Sequence, residues 1–474
     1  MSSVTQTGKH QSAEQARAEH ETTTPAHRKR HLAVAVSVAA LGGLLFGYDT
    51  GIIASAQLYF VPEFGLSSTM QEVAVASLLA GAVVGVLIGG PVTDRFGRKK
   101  TLGVVAAVFI VGSVVSALAP DVEVLIGARA LLGLCIGASS LAVPSYIAEI
   151  SPPAIRGRLV SMNQMLVMSG IFIAYLVGFA FESTKGWRWM LGIGVVPATL
   201  MLIGIPFIVE SPRWLLDHGR PDQARSVMTR LLPPEVIDQQ MQEITEATQA
   251  EEHISYRYLL NRSMRPAILL GVVVAATNQL VGVNAILYYT PTLLRRAGLG
   301  DSASLISTVG LGAAGVIFTL GALLSIDKLG RRPLLLSGTA GVTVLLVLIG
   351  ALYQLPSTVA VNVALVAALV AYEAVFSASL GIAIWLINSE IFPTGVRAKA
   401  AGFGTITHWG LDFIISITVL TLISAITPSG LFWVFAVFGG LGFAYLYRNL
   451  PETRGRTLED IETALRQRGS AAND

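Results

Sequence analysis

Twelve stretches of this chain each run for about 20 residues with few or no charges, and that pattern constrains the fold more than any other feature. A helix needs roughly 20 mostly apolar residues to cross about 30 Å of hydrocarbon. The stretches fall at 32–56, 72–93, 101–119, 123–148, 157–180, 188–209, 266–290, 303–326, 334–354, 359–388, 400–424 and 430–448. Lipid offers no partner to a backbone N–H or C=O, so runs of this length cross as helices that pair internally. Composition agrees: 53% of the 474 residues are hydrophobic and 13% are charged, against about 25% charged in a soluble domain. An all-α integral membrane protein of 12 transmembrane helices is expected.

Lys and Arg in the short connections set the orientation. With the N-terminus in the cytosol, the inner connections hold 17 of them, from Arg28, Lys29 and Arg30 to Arg448, Arg454 and Arg456. The outer connections hold four: Lys185, Arg188, Arg295 and Arg296. The bias places both termini of a multi-pass protein of the cell membrane in the cytosol. Residues 1–30 read as a disordered cytosolic tail ending in "HRKRH", and not as a secretory signal, since no short apolar core with a small-residue cleavage site follows. The polar segment 216–265 reads as a cytosolic linker of amphipathic helices, and residues 451–474 as a second tail. The sequon at Asn261–Ser263 falls on the cytosolic side, which argues against glycosylation.

Several function classes lack support. Net charge +3 with no basic arm gives no case for nucleic acid. One cysteine, Cys135, excludes an internal disulfide and a cysteine metal cluster, and reads as a small buried hydrophobe. "GLGAAG" (Gly310–Gly315) matches a dinucleotide fingerprint but sits inside an apolar span with no preceding strand. No HExxH, P-loop or GxSxG supports an enzyme. Gly81, Gly85 and Gly89 form a small-xxx-small ladder suited to close helix packing.

The two halves echo each other. "DRFGRKK" at Asp94 recurs as "DKLGRRP" at Asp327, 233 residues on. "AEISPPAIRGR" with Glu149 recurs as "SEIFPTGVRAK" with Glu390, and "ESPRW" with Glu210 as "ETRGR" with Glu452, at offsets of 241 and 242. "LFGYD" aligns with "LVGVN", placing Asn284 opposite Asp49. Near-constant offsets point to duplication of a six-span unit, 31–215 and 266–450. An even span number gives parallel repeats, the arrangement of transporters whose halves surround a midplane site.

Together with "GGLLFGYDTGII", "PSYIAEISPPAIRGRLVSMNQ", "VESPRWLL", "NQLVGVNAILYY" and "LPETRG", these motifs make residues 31–456 resemble a sugar porter of the major facilitator superfamily, nearest to bacterial proton-coupled hexose, pentose and inositol carriers. The resemblance implies two six-helix bundles, a sugar and a proton as cargo, the proton gradient as driving force with no cofactor, lipid as surroundings, and a monomer as the working unit. It also implies salt bridges that close the cytosolic side when the site faces outward. The candidates are Asp94, Arg95, Arg98, Glu149, Arg156, Glu210 and Arg213 in the first half, and Asp327, Arg331, Arg332, Glu390, Arg397 and Glu452 in the second. Anchoring at the membrane edge is the alternative for these charges.

Ionisable groups inside the membrane are functional candidates. By residue count Asp49 and Arg129 lie at equal depth, roughly 9 Å below the outer surface at 1.5 Å per residue. Opposite charge makes them candidate partners, either as a proton-coupling pair or as a permanent structural one. The resemblance assigns them to proton coupling, assigns sugar contacts to Gln164, Gln279, Asn284 and Trp385, and places Trp409 near the site; Asn278, where the family usually has a second glutamine beside Gln279, joins the candidates. The pattern also departs from the family: Gly315 replaces an asparagine, Ser377 stands where some glucose carriers have glutamate, and His408 and Asp412 stand where amides are usual. Ser377, His408 and Asp412 therefore join the candidate substrate contacts. Glu373, His408 and Asp412 are further read as a second polar cluster, structural or titratable. A proton-coupled monosaccharide importer for a hexose such as glucose is the leading expectation. A pentose or polyol symporter, an uncoupled facilitator, an efflux antiporter and a non-transporting sensor are the alternatives.

Overall fold

A computed structural model gives the chain's conformation and describes residues 25–252, 261, 264–392 and 397–452. Most of both tails and most of the linker's end lie outside the described residues, as does the sequon beyond Asn261. Helices follow the apolar stretches. α1 (Pro25–Glu63), α2 (Ser68–Phe96), α3 (Arg98–Ala117), α4 (Val122–Ile150) and α5 (Pro153–Ala180) form the first five crossings. The sixth is split into α6 (Trp187–Gly192) and α7 (Val195–Gly204). Three helices follow, α8 (Pro212–Asp217), α9 (Pro221–Leu231) and α10 (Ile237–Glu252), the last two polar and amphipathic as the linker sequence requires. The second bundle comprises α11 (Arg265–Leu280), α12 (Val283–Arg296), α13 (Asp301–Leu329), α14 (Arg331–Leu352), α15 (Val359–Ala378), α16 (Leu380–Glu390) and α17 (Arg397–Asn449).

Eleven helices are long and apolar enough to cross a membrane among the described residues, one fewer than the twelve expected stretches. The difference lies in α17. Its 53 residues would extend about 80 Å at 1.5 Å per residue, far beyond one bilayer core. Thr427 breaks it with φ 67 and ψ 163, followed by Pro428, and the chain turns back. The expected eleventh and twelfth spans are its two limbs. The outward face of the bundles is apolar, as at Val104, Ile317 and Leu441, each more than 60% exposed, which suits lipid.

The glycine ladder fixes the first bundle's geometry. A Cβ at Gly81 would strike the main-chain oxygen of Ala130 in α4, and one at Gly133 that of Leu78 in α2. These two helices therefore meet backbone to backbone, as small-residue interfaces in membranes allow. That approach holds Arg129 of α4 against α2.

At the end of the molecule where the basic connections gather, each bundle is closed by matching charges. Arg98 Nη2 donates to Glu149 Oε1 at 3.0 Å, its Nε lies 3.0 Å from Oε2, and Asp94 sits 3.3 Å from Nη1. Glu210 Oε1 accepts from the main-chain N–H groups of Arg98 (2.9 Å), Lys99 (3.1 Å) and Ser211 (2.9 Å). The second bundle repeats this: Arg331 donates to Glu390 at 3.2 Å, and Glu452 accepts from the N–H groups of Arg331 (3.0 Å) and Arg332 (3.1 Å). Gly97 (φ 92) and Gly330 (φ 85) make room, since a Cβ on either would meet the capping carboxylate. Each of these pairs joins helices of one bundle. Among the remaining charges, Arg213 lies 4.0 Å from Asp217, Arg95 stacks over Phe96 at 5.5 Å, and Arg156 is exposed. The side chains of Asp327 and Arg397 lie outside the described residues.

A carboxylate bound by orphan N–H groups at a helix start contributes about 0.5–2 kcal/mol. Glu210→Ala is therefore expected to lower the melting temperature in detergent, and Glu210→Gln, which keeps one acceptor oxygen, to lower it less. A melting curve of each variant against the unaltered chain checks this.

Candidate functional site

Between the bundles lies a narrow cavity of about 70 Å³, below the ordinary range for small-molecule sites, so this conformation holds it constricted. Two helix breaks flank it. Gly282 takes a left-handed φ of 81 between α11 and α12, and Ser379 (φ −137, ψ −83) separates α15 from α16. Interrupted helices at membrane depth are tolerated where they line a cavity. The α11–α12 break presents Asn278, Gln279 and Asn284 to one wall.

These amides form a chain. Asn284 Nδ2 donates to Gln279 Oε1 at 2.9 Å, Gln279 Nε2 reaches the His408 ring at 3.0 Å, and Asn278 Nδ2 donates to the Leu380 carbonyl at 3.1 Å. Tyr288 Oη donates to Asp412 Oδ2 and Ser416 Oγ to Asp412 Oδ1, both at 3.3 Å. Aromatic rings adjoin the amides: Trp385 lies 5.3 Å from His408, which stands edge-on to Trp409 at 5.8 Å, and Trp409 packs on Phe46 at 5.4 Å. Gln164 of α5 completes the lining and makes no side-chain hydrogen bond among the described residues. Amides donate and accept together, so this wall matches an uncharged molecule carrying several hydroxyls.

Asp49 and Arg129 meet, as their depths predict. Asp49 is 5% and Arg129 1% exposed, and Arg129 Nη1 lies 3.9 Å from Asp49 Oδ1. That gap is an ion pair without a hydrogen bond, and Asp49 Oδ2 and Arg129 Nη1 have no other partner among the described residues. The guanidinium is held instead by its Nε, which donates to the Ala74 carbonyl at 3.1 Å. Thr50, next to Asp49, is part of the cavity wall.

Three expected positions differ from the reading of the sequence. Ser377 is not in the cavity wall; it donates to Glu373 Oε1 at 2.6 Å, one turn away on α15, behind Met168. Trp409 stands behind the wall, 1% exposed. Glu373, His408 and Asp412 make no hydrogen bond to one another among the described residues, because Glu373 faces α13 at Gly315 while the other two face α11 and α12. The sequence reading also passed over Phe46, Thr50 and Tyr288, since apolar and hydroxyl side chains carry no signal of their own in an apolar span. It passed over Glu72 and Gln57 as well. Glu72 was visible as a lone carboxylate at the head of the second stretch.

Links from one bundle to the other gather in the half away from the basic end. Gln57 donates to the Tyr288 carbonyl at 2.5 Å, Tyr175 to the Leu287 carbonyl at 2.9 Å, and Ser302 bonds Glu182.

A family model described as "Sugar (and other) transporter" matches residues 35–465. The chain belongs to that family of sugar transporters. This transporter is 36% identical over 447 residues to the arabinose-proton symporter of Bacillus subtilis, covering 93% of this chain and 96% of the relative. It is 35% identical over 437 residues to the glucose transporter GlcP of Staphylococcus epidermidis, covering 92% and 98%. Its fold matches a partially occluded inward-open structure of the xylose transporter XylE from E. coli with a TM-score of 0.78 and 30% identity, over 90% of this chain and all of that one. The family and its solved members are membrane transporters, so the protein is a carrier and not an enzyme.

Proposed function

We propose that this transporter imports a monosaccharide together with a proton by alternating access between its two bundles, with the basic end and both termini in the cytosol and a single chain as the working unit. The observation that carries this is the buried, incompletely closed Asp49–Arg129 pair beside an amide-lined cavity. Ionised, Asp49 draws the guanidinium; protonated, it is neutral and leaves Arg129 to the Ala74 carbonyl. Two helix arrangements then differ in proton affinity, and a sugar that prefers one of them is coupled to the proton. The cross-bundle links opposite the basic end favour reading this conformation as open toward the cytosol. The charged rings at the basic end then lock each bundle internally while the bundles rock apart.

A hexose such as glucose is the first substrate to test. A pentose is the second reading, favoured by relatives named for arabinose and xylose transport. Purified transporter in liposomes, offered labelled glucose, galactose, xylose, arabinose and inositol with and without an imposed proton gradient, decides among them. Accumulation of none of these would reject the proposal, and equal uptake with and without the gradient would leave a facilitator. For the sugar that is taken up, Gln279→Ala should raise the half-saturating concentration roughly 5- to 150-fold. It removes the amide that bridges Asn284 and His408 and leaves their polar groups unpaired, at a cost of about 1–3 kcal/mol.

A further inference from the structure

We propose that Glu72 is the bolt that holds the two bundles together away from the basic end, and that the Asp49–Arg129 pair works it through α2. The proposal rests on the alternating-access reading above. Glu72 is 1% exposed. Its Oε1 accepts from the main-chain N–H of Thr421 at 2.7 Å, and its Oε2 from the Thr421 hydroxyl at 2.6 Å. Thr421 belongs to α17, in the opposite bundle. Both oxygens of a buried carboxylate are thus engaged by one residue across the bundle interface, and Glu72 has no Lys or Arg ion pair among the described residues. Both hydrogen bonds cross the seam that must part for the other side to open. Next to the bolt, Gln71 Nε2 donates to Gln57 Oε1 at 2.8 Å, and Gln57 in turn holds the Tyr288 carbonyl.

The connection to the proton site is short. Arg129 donates to the carbonyl of Ala74, two residues along α2 from Glu72. The same guanidinium faces Asp49 at 3.9 Å. Because α2 and α4 touch through main-chain atoms at Gly81 and Gly133, no soft side-chain layer lies between them to absorb a shift of Arg129. Deprotonation of Asp49 pulls the guanidinium from the Ala74 carbonyl and releases α2 at the turn that carries the bolt. Protonation returns it. The two-state element is the bolt itself, bonded or parted, which both sites bias.

The test reads the seam and not transport. Thr292 lines a cleft with Gln57, Gln71 and Arg296 just beyond the bolt, and the native thiol is buried. The full chain carrying Cys135→Ser and Thr292→Cys is labelled in intact cells with a membrane-impermeant maleimide. Glu72→Gln, isosteric but able to accept through one oxygen only, should speed labelling about tenfold. Thr421→Val, which keeps the main-chain N–H and loses the hydroxyl, should speed it less, and it carries the test if Glu72→Gln does not reach the membrane. Unchanged labelling in both variants overturns the bolt. Asp49→Asn should slow labelling while Glu72 is intact and have no effect once Glu72→Gln is present. Independent, additive effects overturn the connection to the proton site. Absence of sugar uptake by the unaltered chain would reject the transport reading while leaving the labelling result interpretable on its own.

Discussion

Asp49→Asn is expected to abolish accumulation of sugar against its gradient while leaving exchange of labelled for unlabelled sugar across the membrane. Asparagine copies the neutral, protonated side chain and cannot release a proton, so Arg129 stays with the Ala74 carbonyl in both halves of the cycle. One charge moved through 100 mV is worth about 2.3 kcal/mol, which sets roughly a 50-fold accumulation for one proton. In the variant the internal concentration should stop at the external one. Liposomes assayed for gradient-driven uptake and for counterflow give both readings. Continued accumulation would remove Asp49 from the coupling step, and loss of exchange as well would make the pair structural.

The second large effect concerns packing. Gly133→Leu drives a branched side chain into the main chain of α2 at Leu78, where even a Cβ has no room. Overpacking a well-filled core costs about 1–3 kcal/mol when neighbours can adjust, and main-chain atoms adjust least. The variant should lose most of its folded yield and elute as aggregate. Gly127→Ala, six residues earlier on the same helix with no atom within 4 Å of its added Cβ, should behave as the unaltered chain. Size-exclusion profiles of the two settle it. A well-folded Gly133→Leu would mean that the α2–α4 contact is looser than its geometry implies.

The helices were legible because lipid enforces a simple rule: a run of about 20 apolar residues crosses as a helix. The Asp49–Arg129 pair was legible for the same reason, since two ionisable groups at equal depth stand out in apolar runs. What the runs hid were their interruptions. Gly282 sits inside a continuous apolar stretch, and only its left-handed backbone, with Phe435 packed where a Cβ would go, shows that α11 and α12 part there. The direction a side chain faces was also hidden. Ser377 and Glu373 are four residues apart and so share a helix face, but spacing does not say that this face meets Gly315 and Met168 instead of the cavity. Glu210 and Glu452 read as members of salt bridges that close the cytosolic side. Only the folded arrangement reveals that they cap the helix starts at Arg98 and Arg331, within their own bundles.

Glu210 belongs to the chain just after the sixth crossing, so the first bundle's charged ring is complete before the linker has been synthesised. Translation can therefore hand the membrane a finished half, with Arg98, Glu149 and Glu210 already satisfied, while the second half is still on the ribosome. Glu452, just after the last crossing, does the same for the later bundle. On that order the polypeptide matures as two successive assemblies of like design, and the seam between them is the last surface to be made.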